Sequence, residues 1–150
     1  MAKVEASAQR TIDAPADAVY SYLADMSQHP KFLPPAFSDF QVVEGGVGAG
    51  TVTTFSVTAG GRTRSYRMNV TEPAPGRTLV ESDANSSLVT TFNVEPQGSK
   101  SLVSIHTSWN GAGGIGGFFE KTFAPGAMKK IYLDELDRLN TYALSRYSQS

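Results

Sequence analysis

Two charged residues stand where the sequence otherwise reads as apolar. Glu135 lies four residues after Ile131 and four before Leu139, near the middle of the apolar stripe of a C-terminal helical segment. Arg64 shares strand parity with Tyr66 and Met68. An unpaired buried charge is costly. The two residues therefore read either as a structural ion pair, with ends that can snorkel to solvent, or as anchors for a ligand hydroxyl, carbonyl or carboxylate in an apolar pocket. A partnerless Glu135 should hold its proton, whereas a nearby Arg64 should lower its pKa. Thr53, Thr90 and Thr107 also fall on inward parity.

Other chemistries find less support. His29 lies in a proline-bounded loop, and His106 alternates out of phase with Val103, Ile105 and Trp109, so both read as surface histidines. Neither has a third ligand nearby in sequence, and no metal site is expected. There is no cysteine for thiol chemistry and no G-x-S-x-G nucleophile elbow. Gly111, Gly113 and Gly116 spell G-x-G-x-x-G between a strand and a helix. A dinucleotide site needs a parallel strand after that helix, and none follows, so no cofactor is expected.

The elements that must position these groups can be read in order. Val4, Ala6, Ala8 and Ile12 alternate with Lys3, Glu5, Ser7, Gln9 and Thr11, the pattern of a half-buried strand. Asp13-Ala14-Pro15 stops it and starts a helix, with Asp13 as acceptor for free amides. That helix carries Val19, Tyr22, Leu23 and Met26, and prolines at 30, 34 and 35 leave room for one short turn after it. From Phe37 to Trp109, turn signals at Gly45-Gly46, Gly60-Gly61, Pro73 to Gly76, Asn85-Ser86 and Gln97-Gly98 mark six strands of an antiparallel meander. Parity turns Phe55 and Val57 inward, with Tyr66, Met68 and Val70, Leu88, Phe92 and Val94, and Val103, Ile105 and Trp109; the strand at Leu79-Val80 is ambiguous. A helix from about Gly117 to about Tyr147 buries Met128, Ile131, Tyr132, Leu136, Leu139 and Ala143, with an interruption at Pro125-Gly126. Leu133 and Leu144 lie on its polar back with Asp137 and Asn140.

One sheet of about seven strands cannot bury its concave face alone, and this helix is the only element long enough to cover it. The fold class is thus α+β, a curved antiparallel sheet wrapped around a long C-terminal helix, in one domain over residues 1–150. Composition agrees: 150 residues, 40% hydrophobic, 13 basic against 14 acidic side chains. Such a balance sets up no field for nucleic acid or an anionic membrane. No apolar run approaches about 18 residues and the start carries no signal core, so a cytoplasmic protein without stable membrane insertion, monomer or homodimer, is expected.

Arg10-Thr11-Ile12-Asp13-Ala14-Pro15-Ala16-Asp17-Ala18-Val19-Tyr20, running on to Leu23-Ala24-Asp25, resembles the opening of the polyketide cyclase/dehydrase and lipid-transport family of the START-like (SRPBCC) superfamily. Gly48-Ala49-Gly50-Thr51, Pro75-Gly76-Arg77-Thr78-Leu79, Phe92-Asn93-Val94-Glu95-Pro96 and Leu136-Asp137-Arg138-Leu139 follow in the same order. The resemblance spans nearly the whole chain and implies a helix-grip fold with a cavity between sheet and helix. It transfers no catalytic residue. Cavity candidates are then Phe55, Arg64, Tyr66, Met68, Thr90, Phe92, Thr107, Trp109, Met128, Ile131, Tyr132 and Glu135. The glycine-rich bridge becomes either a loop at the cavity mouth, with Ile115, Phe118 and Phe119 as a plug, or a plain connection. The function this implies is binding or carrying a small hydrophobic molecule, such as a lipid or polyketide. The alternative is a cyclase, aromatase or dehydratase using cavity shape and one or two proton-moving groups such as Glu135, Tyr66 or Arg64.

Overall fold

The alternation at the start of the chain folds as β1 (Lys3–Ile12), with Ala6, Ala8 and Ile12 buried and the odd-numbered residues exposed. The structure is a computed structural model that describes residues 3–59, 61–110 and 125–147. Helix α1 (Ala16–Ala24) follows, with Pro15 at its N-cap. Asp13 does not cap it, contrary to expectation, because it sits two residues too early to reach the free amides. It turns to the C-terminal helix instead: its amide donates to Asn140 Oδ1 at 2.8 Å and its carboxylate accepts from Asn140 Nδ2 at 3.2 Å. In the first turn of α1 it is Asp17 that accepts an amide, from Ala18 at 2.9 Å. The prolines leave a single 3-10 turn, His29–Lys31.

Six strands follow: β2 (Phe37–Glu44), β3 (Val52–Ala59), β4 (Arg62–Ala74), β5 (Thr78–Asp83), β6 (Val89–Gln97) and β7 (Lys100–Asn110). All neighbours are antiparallel, and the sheet runs β1-β7-β6-β5-β4-β3-β2. The inward parities assigned to β3, β4, β6 and β7 are the buried ones. In β5 the ambiguity resolves with Leu79, Glu81 and Asp83 inside.

The loop before β3 is locked to α1 and β4. The Gly48 amide donates to the Ala24 carbonyl at 2.9 Å. The Glu72 carboxylate accepts from the Ala49 amide at 2.8 Å and from the Tyr20 hydroxyl at 2.7 Å. Gly48 has φ +67°, and a Cβ there would lie 2.2 Å from Glu72 Oε1, so only glycine fits.

Helix α2 (Pro125–Tyr147) closes the concave face. Pro125 is its first described residue. The expected start near Gly117 and the plug of Ile115, Phe118 and Phe119 lie outside the described residues, as does Lys121, whose carbonyl the expected interruption at Pro125-Gly126 concerns. Met128, Tyr132, Leu136, Leu139 and Ala143 are buried, Ile131 half-buried, and Leu133 and Leu144 exposed. Fully burying a leucine such as Leu136 or Leu139 stabilises by roughly 1.5–3 kcal/mol. Asn140 corrects the sequence reading: it is buried rather than on the polar back, because the Asp13 amide and carboxylate both bind it.

The helix lies closest along β1, where the small side chains Ala6 and Ala8 let its backbone approach. Its register is fixed by Arg10 Nη1 to Asp137 Oδ1 at 2.6 Å and by the Tyr142 hydroxyl donating to Gln28 Oε1 at 2.6 Å. Tyr142 also meets Tyr22 of α1 edge-on, centroids 5.4 Å apart. Anchored at that edge, α2 leaves a space between itself and β3 to β6.

Candidate functional site

Cross-strand register explains what faces that space. One rung of the sheet joins Val70, Glu81, Thr90, Thr107 and Ala6 across β4, β5, β6, β7 and β1. The neighbouring rung joins Leu79, Phe92, Ile105 and Ala8. Directly paired residues share a face, so Glu81 of β5 points toward α2 together with Thr90. Glu135 comes from α2, the opposite wall. Both line one cavity of about 40 Å³, where a single water needs about 10–15 Å³.

The remaining wall is largely apolar. Of the expected residues, Phe55, Tyr66, Met68, Thr90, Phe92, Met128, Tyr132 and Glu135 line the cavity. Arg64, Thr107, Trp109 and Ile131 do not. Thr107 lies one strand further along the same rung, on β7, where its hydroxyl bonds those of Thr90, at 2.8 Å, and Tyr132. Trp109 is buried outside the lining, and Ile131 sits at the half-buried flank of the helix stripe. Arg64 is half-buried on β4, paired with Val57, with its guanidinium 5.7 Å from the Tyr66 ring centroid. It therefore does not provide the pairing charge expected for Glu135; the charges that act on Glu135 are those of Glu81 and Asp134.

Five further lining residues were not foreseen: Leu33, Glu81, Phe37, Phe40 and His29. Phe37 and Phe40 are three apart and would point to opposite faces of a regular strand. Asp39, at φ 55°, and a register shift between Ser38 and Gln41 insert a bulge that turns both rings inward. Phe40 stacks on Phe55 at 6.1 Å. His29 corrects the surface assignment: it is 3% exposed and lines the cavity. The Leu23 carbonyl, left without an intrahelical donor at the end of α1, accepts from His29 Nε2 at 2.6 Å. The ring also stacks on Phe40 at 5.9 Å. Burial lowers the His29 pKa to about 4, so the ring is neutral. His106, in contrast, is exposed as expected, 3.0 Å from Glu5.

The two carboxyls are electrostatically unusual. Glu81 and Glu135 are 6% and 3% exposed and, among the described residues, have no hydrogen-bond partner. Asp83, two residues from Glu81 on the same face, differs: it accepts from the Arg67 amide at 3.0 Å and the Ser86 hydroxyl at 2.6 Å, which makes it a turn residue. Loss of solvation raises Glu81 to about 7. Burial raises Glu135 to about 8, with the negative charges of Glu81 and Asp134 adding to the effect. Burial likewise pushes the Tyr132 hydroxyl above its ordinary value. Near neutrality the pair can thus both hold and release a proton. Among the described residues, no three His, Asp or Glu side chains gather as metal ligands, and no helix is long and apolar enough to cross a membrane.

With this architecture, the chain belongs to the polyketide cyclase / dehydrase and lipid transport family, whose model matches residues 1–143. It is similar to the KanY protein, known from a solution NMR structure, at 41% identity and TM-score 0.83, covering 95% of this chain and 99% of that one. The same fold is seen in the Zhui aromatase/cyclase of Streptomyces sp. R1128 at 16% identity, TM-score 0.76, covering 97% and 96%. Major latex-like protein 151 from Panax ginseng shares it at 14% identity, TM-score 0.73, covering 95% and 98%. No curated protein matches the sequence. The fold is therefore the helix-grip of these structures.

Proposed function

We propose that this protein takes a small, mainly hydrophobic molecule into the cavity between β3–β6 and α2. The observation that carries this reading is a space kept open inside the core, walled by aromatic rings and lined by two carboxyls that have no hydrogen-bond partner among the described residues. A protein selected only for stability would fill such a space, since packed interiors leave few voids larger than a water. At its present width the cavity holds a few waters, so a larger guest enters by displacing side chains such as Met68 and Met128, which repack readily. Family membership supports a hydrophobic ligand.

The test is fluorescence titration with N-phenyl-1-naphthylamine, an apolar dye, alongside native mass spectrometry of the purified protein. A saturable rise in emission is expected, and Val57→Trp, which fills the space from β3, should remove it while circular dichroism stays unchanged. Absence of any rise in the wild type overturns the reading.

A second reading, proton-transfer chemistry on a polyketide-like substrate, is favoured by one observation: Glu81 and Glu135 lie near 7 and near 8. One carboxylate and one carboxylic acid then face a common guest, as general acid–base catalysis requires. Its mark is lost turnover with retained binding in Glu135→Gln.

A further inference from the structure

The groups of strongest polarity that the cavity offers a guest are acceptors. The Tyr132 and Thr90 hydroxyls are engaged with Thr107, and the His29 Nε2 proton is committed to the Leu23 carbonyl. Arg64 is outside the lining. What remains beside the Tyr66 hydroxyl, facing each other from sheet and helix, are the carboxyls of Glu81 and Glu135, both more than nine-tenths buried and, among the described residues, without a hydrogen-bond partner. Two such groups cannot both be charged in an apolar enclosure unless a positive charge joins them.

We propose that the ligand's polar end is a protonated amine, seated between Glu81 and Glu135 with its apolar part among the aromatic rings. An ammonium brings three donors and one positive charge, which satisfies two acceptor groups at once and lets both ionise. A hydroxyl brings one donor and no charge. A carboxylate, the ligand group expected if Arg64 had been the anchor, meets repulsion. The rings of Phe40, Phe55 and Tyr66, which succeed one another at 6.1 and 5.8 Å along the wall, add faces that attract a cation. The inference deepens the proposed function and rests on it.

The geometry also gives a proton balance. In the empty cavity near neutrality the pair retains a proton; when an ammonium enters, both carboxyls ionise and that proton leaves to solvent. The titratable groups facing the pair are Tyr66 from β4, His29 from the 3-10 turn, and Tyr132 and Asp134 from α2 itself. Burial moves His29 below and Tyr132 above its ordinary value, both away from neutrality, so at pH 7.5 the proton comes from the pair.

The experiment is isothermal calorimetry at pH 7.5 with two probes of matched size, 4-phenylbutylamine and 4-phenyl-1-butanol. Each is run in two buffers of different ionisation enthalpy. Wild-type protein should bind the amine about tenfold or more tightly than the alcohol, and release up to about one proton per amine bound but none per alcohol. The Glu81→Gln/Glu135→Gln double variant should lose both the preference and the proton release. If that variant fails to fold, each single substitution should reduce the preference. Equal affinities, a preference for the alcohol, or amine binding without proton release overturn the proposal. Failure of both probes also overturns it, and N-phenyl-1-naphthylamine then separates the causes: dye binding preserves the hydrophobic cavity, and no dye binding removes that reading too.

Discussion

Replacing Glu135 by glutamine should make the protein less sensitive to alkali, by an amount that can be worked out group by group. Burial raises Glu135 from an ordinary 4.5 to about 8, with Glu81 and Asp134 adding to it. The folded state therefore binds a proton that the unfolded chain has lost, and stability falls as pH rises through that window. At about 1.4 kcal/mol for each pH unit, the full span withdraws roughly 5 kcal/mol. Glu81, raised to about 7, acts in the same direction below that pH. His29 acts oppositely: burial lowers it from 6.5 to about 4, so its contribution is present above 6.5 and is lost as pH falls toward 4. Between pH 5 and 7 the wild type should lose about 1.4 kcal/mol per unit, two carboxyls against one imidazole, because Glu81 gives up its proton over the same range in which the unfolded imidazole stops opposing. Glutamine keeps the shape of Glu135 and cannot ionise. Urea unfolding at pH 5, 6, 7, 8 and 8.5 should show the two proteins close in stability at pH 5, with the variant ahead by several kcal/mol at pH 8.5. Parallel stability curves across this range would refute the picture of a buried, partnerless carboxyl.

Gly48→Ala should be severely destabilising, by about 2 kcal/mol or more, because it adds a positive-φ penalty of about 1–2 kcal/mol and pushes Glu72 off the Ala49 amide and Tyr20 hydroxyl; thermal unfolding checks this. Asn140→Ala should cost about 1–3 kcal/mol by leaving the Asp13 amide without its acceptor, read as a lower urea midpoint at unchanged slope. Asp137→Ala, despite the 2.6 Å contact with Arg10, should cost less than about 1 kcal/mol, since both side chains are well exposed; a loss of several kcal/mol would contradict this.

Most of the sheet was legible because alternation and turn residues act locally. Ala6 and Ala8, Tyr66 and Met68, and Val103 and Ile105 each announce a buried face within a few residues of sequence. β5 was not legible that way: its inward positions are Leu79, Glu81 and Asp83, so hydropathy contradicts parity. The signal that would have found Glu81 is register. The hairpin at Asn85-Ser86 sets Glu81 opposite Thr90, which was already placed inward. His29 and Phe40 depended on tertiary causes, a helix-end carbonyl that needs a donor and a bulge that reverses a side chain, and neither has a period in sequence. Glu135 could be placed by helical spacing, but its electrostatic partner could not. Parity suggested Arg64, whereas the fold supplies another acid.

The pairing of β1 with β7 has a consequence for the order in which the chain can fold. Glu5 meets His106 across 101 residues, and the helix that covers Ala6 and Ala8 comes later still. At synthesis rates of roughly 5–20 residues per second, β1 waits on the order of ten seconds for β7, its neighbour in the sheet. The meander from β2 to β6, whose pairings are all between successive strands, can assemble meanwhile, and closing the longest loop falls to the end. The small, weakly apolar face that lets α2 lie close in the finished protein is thus also the face left bare longest, and alanines expose less sticky surface during that interval than leucines or valines would.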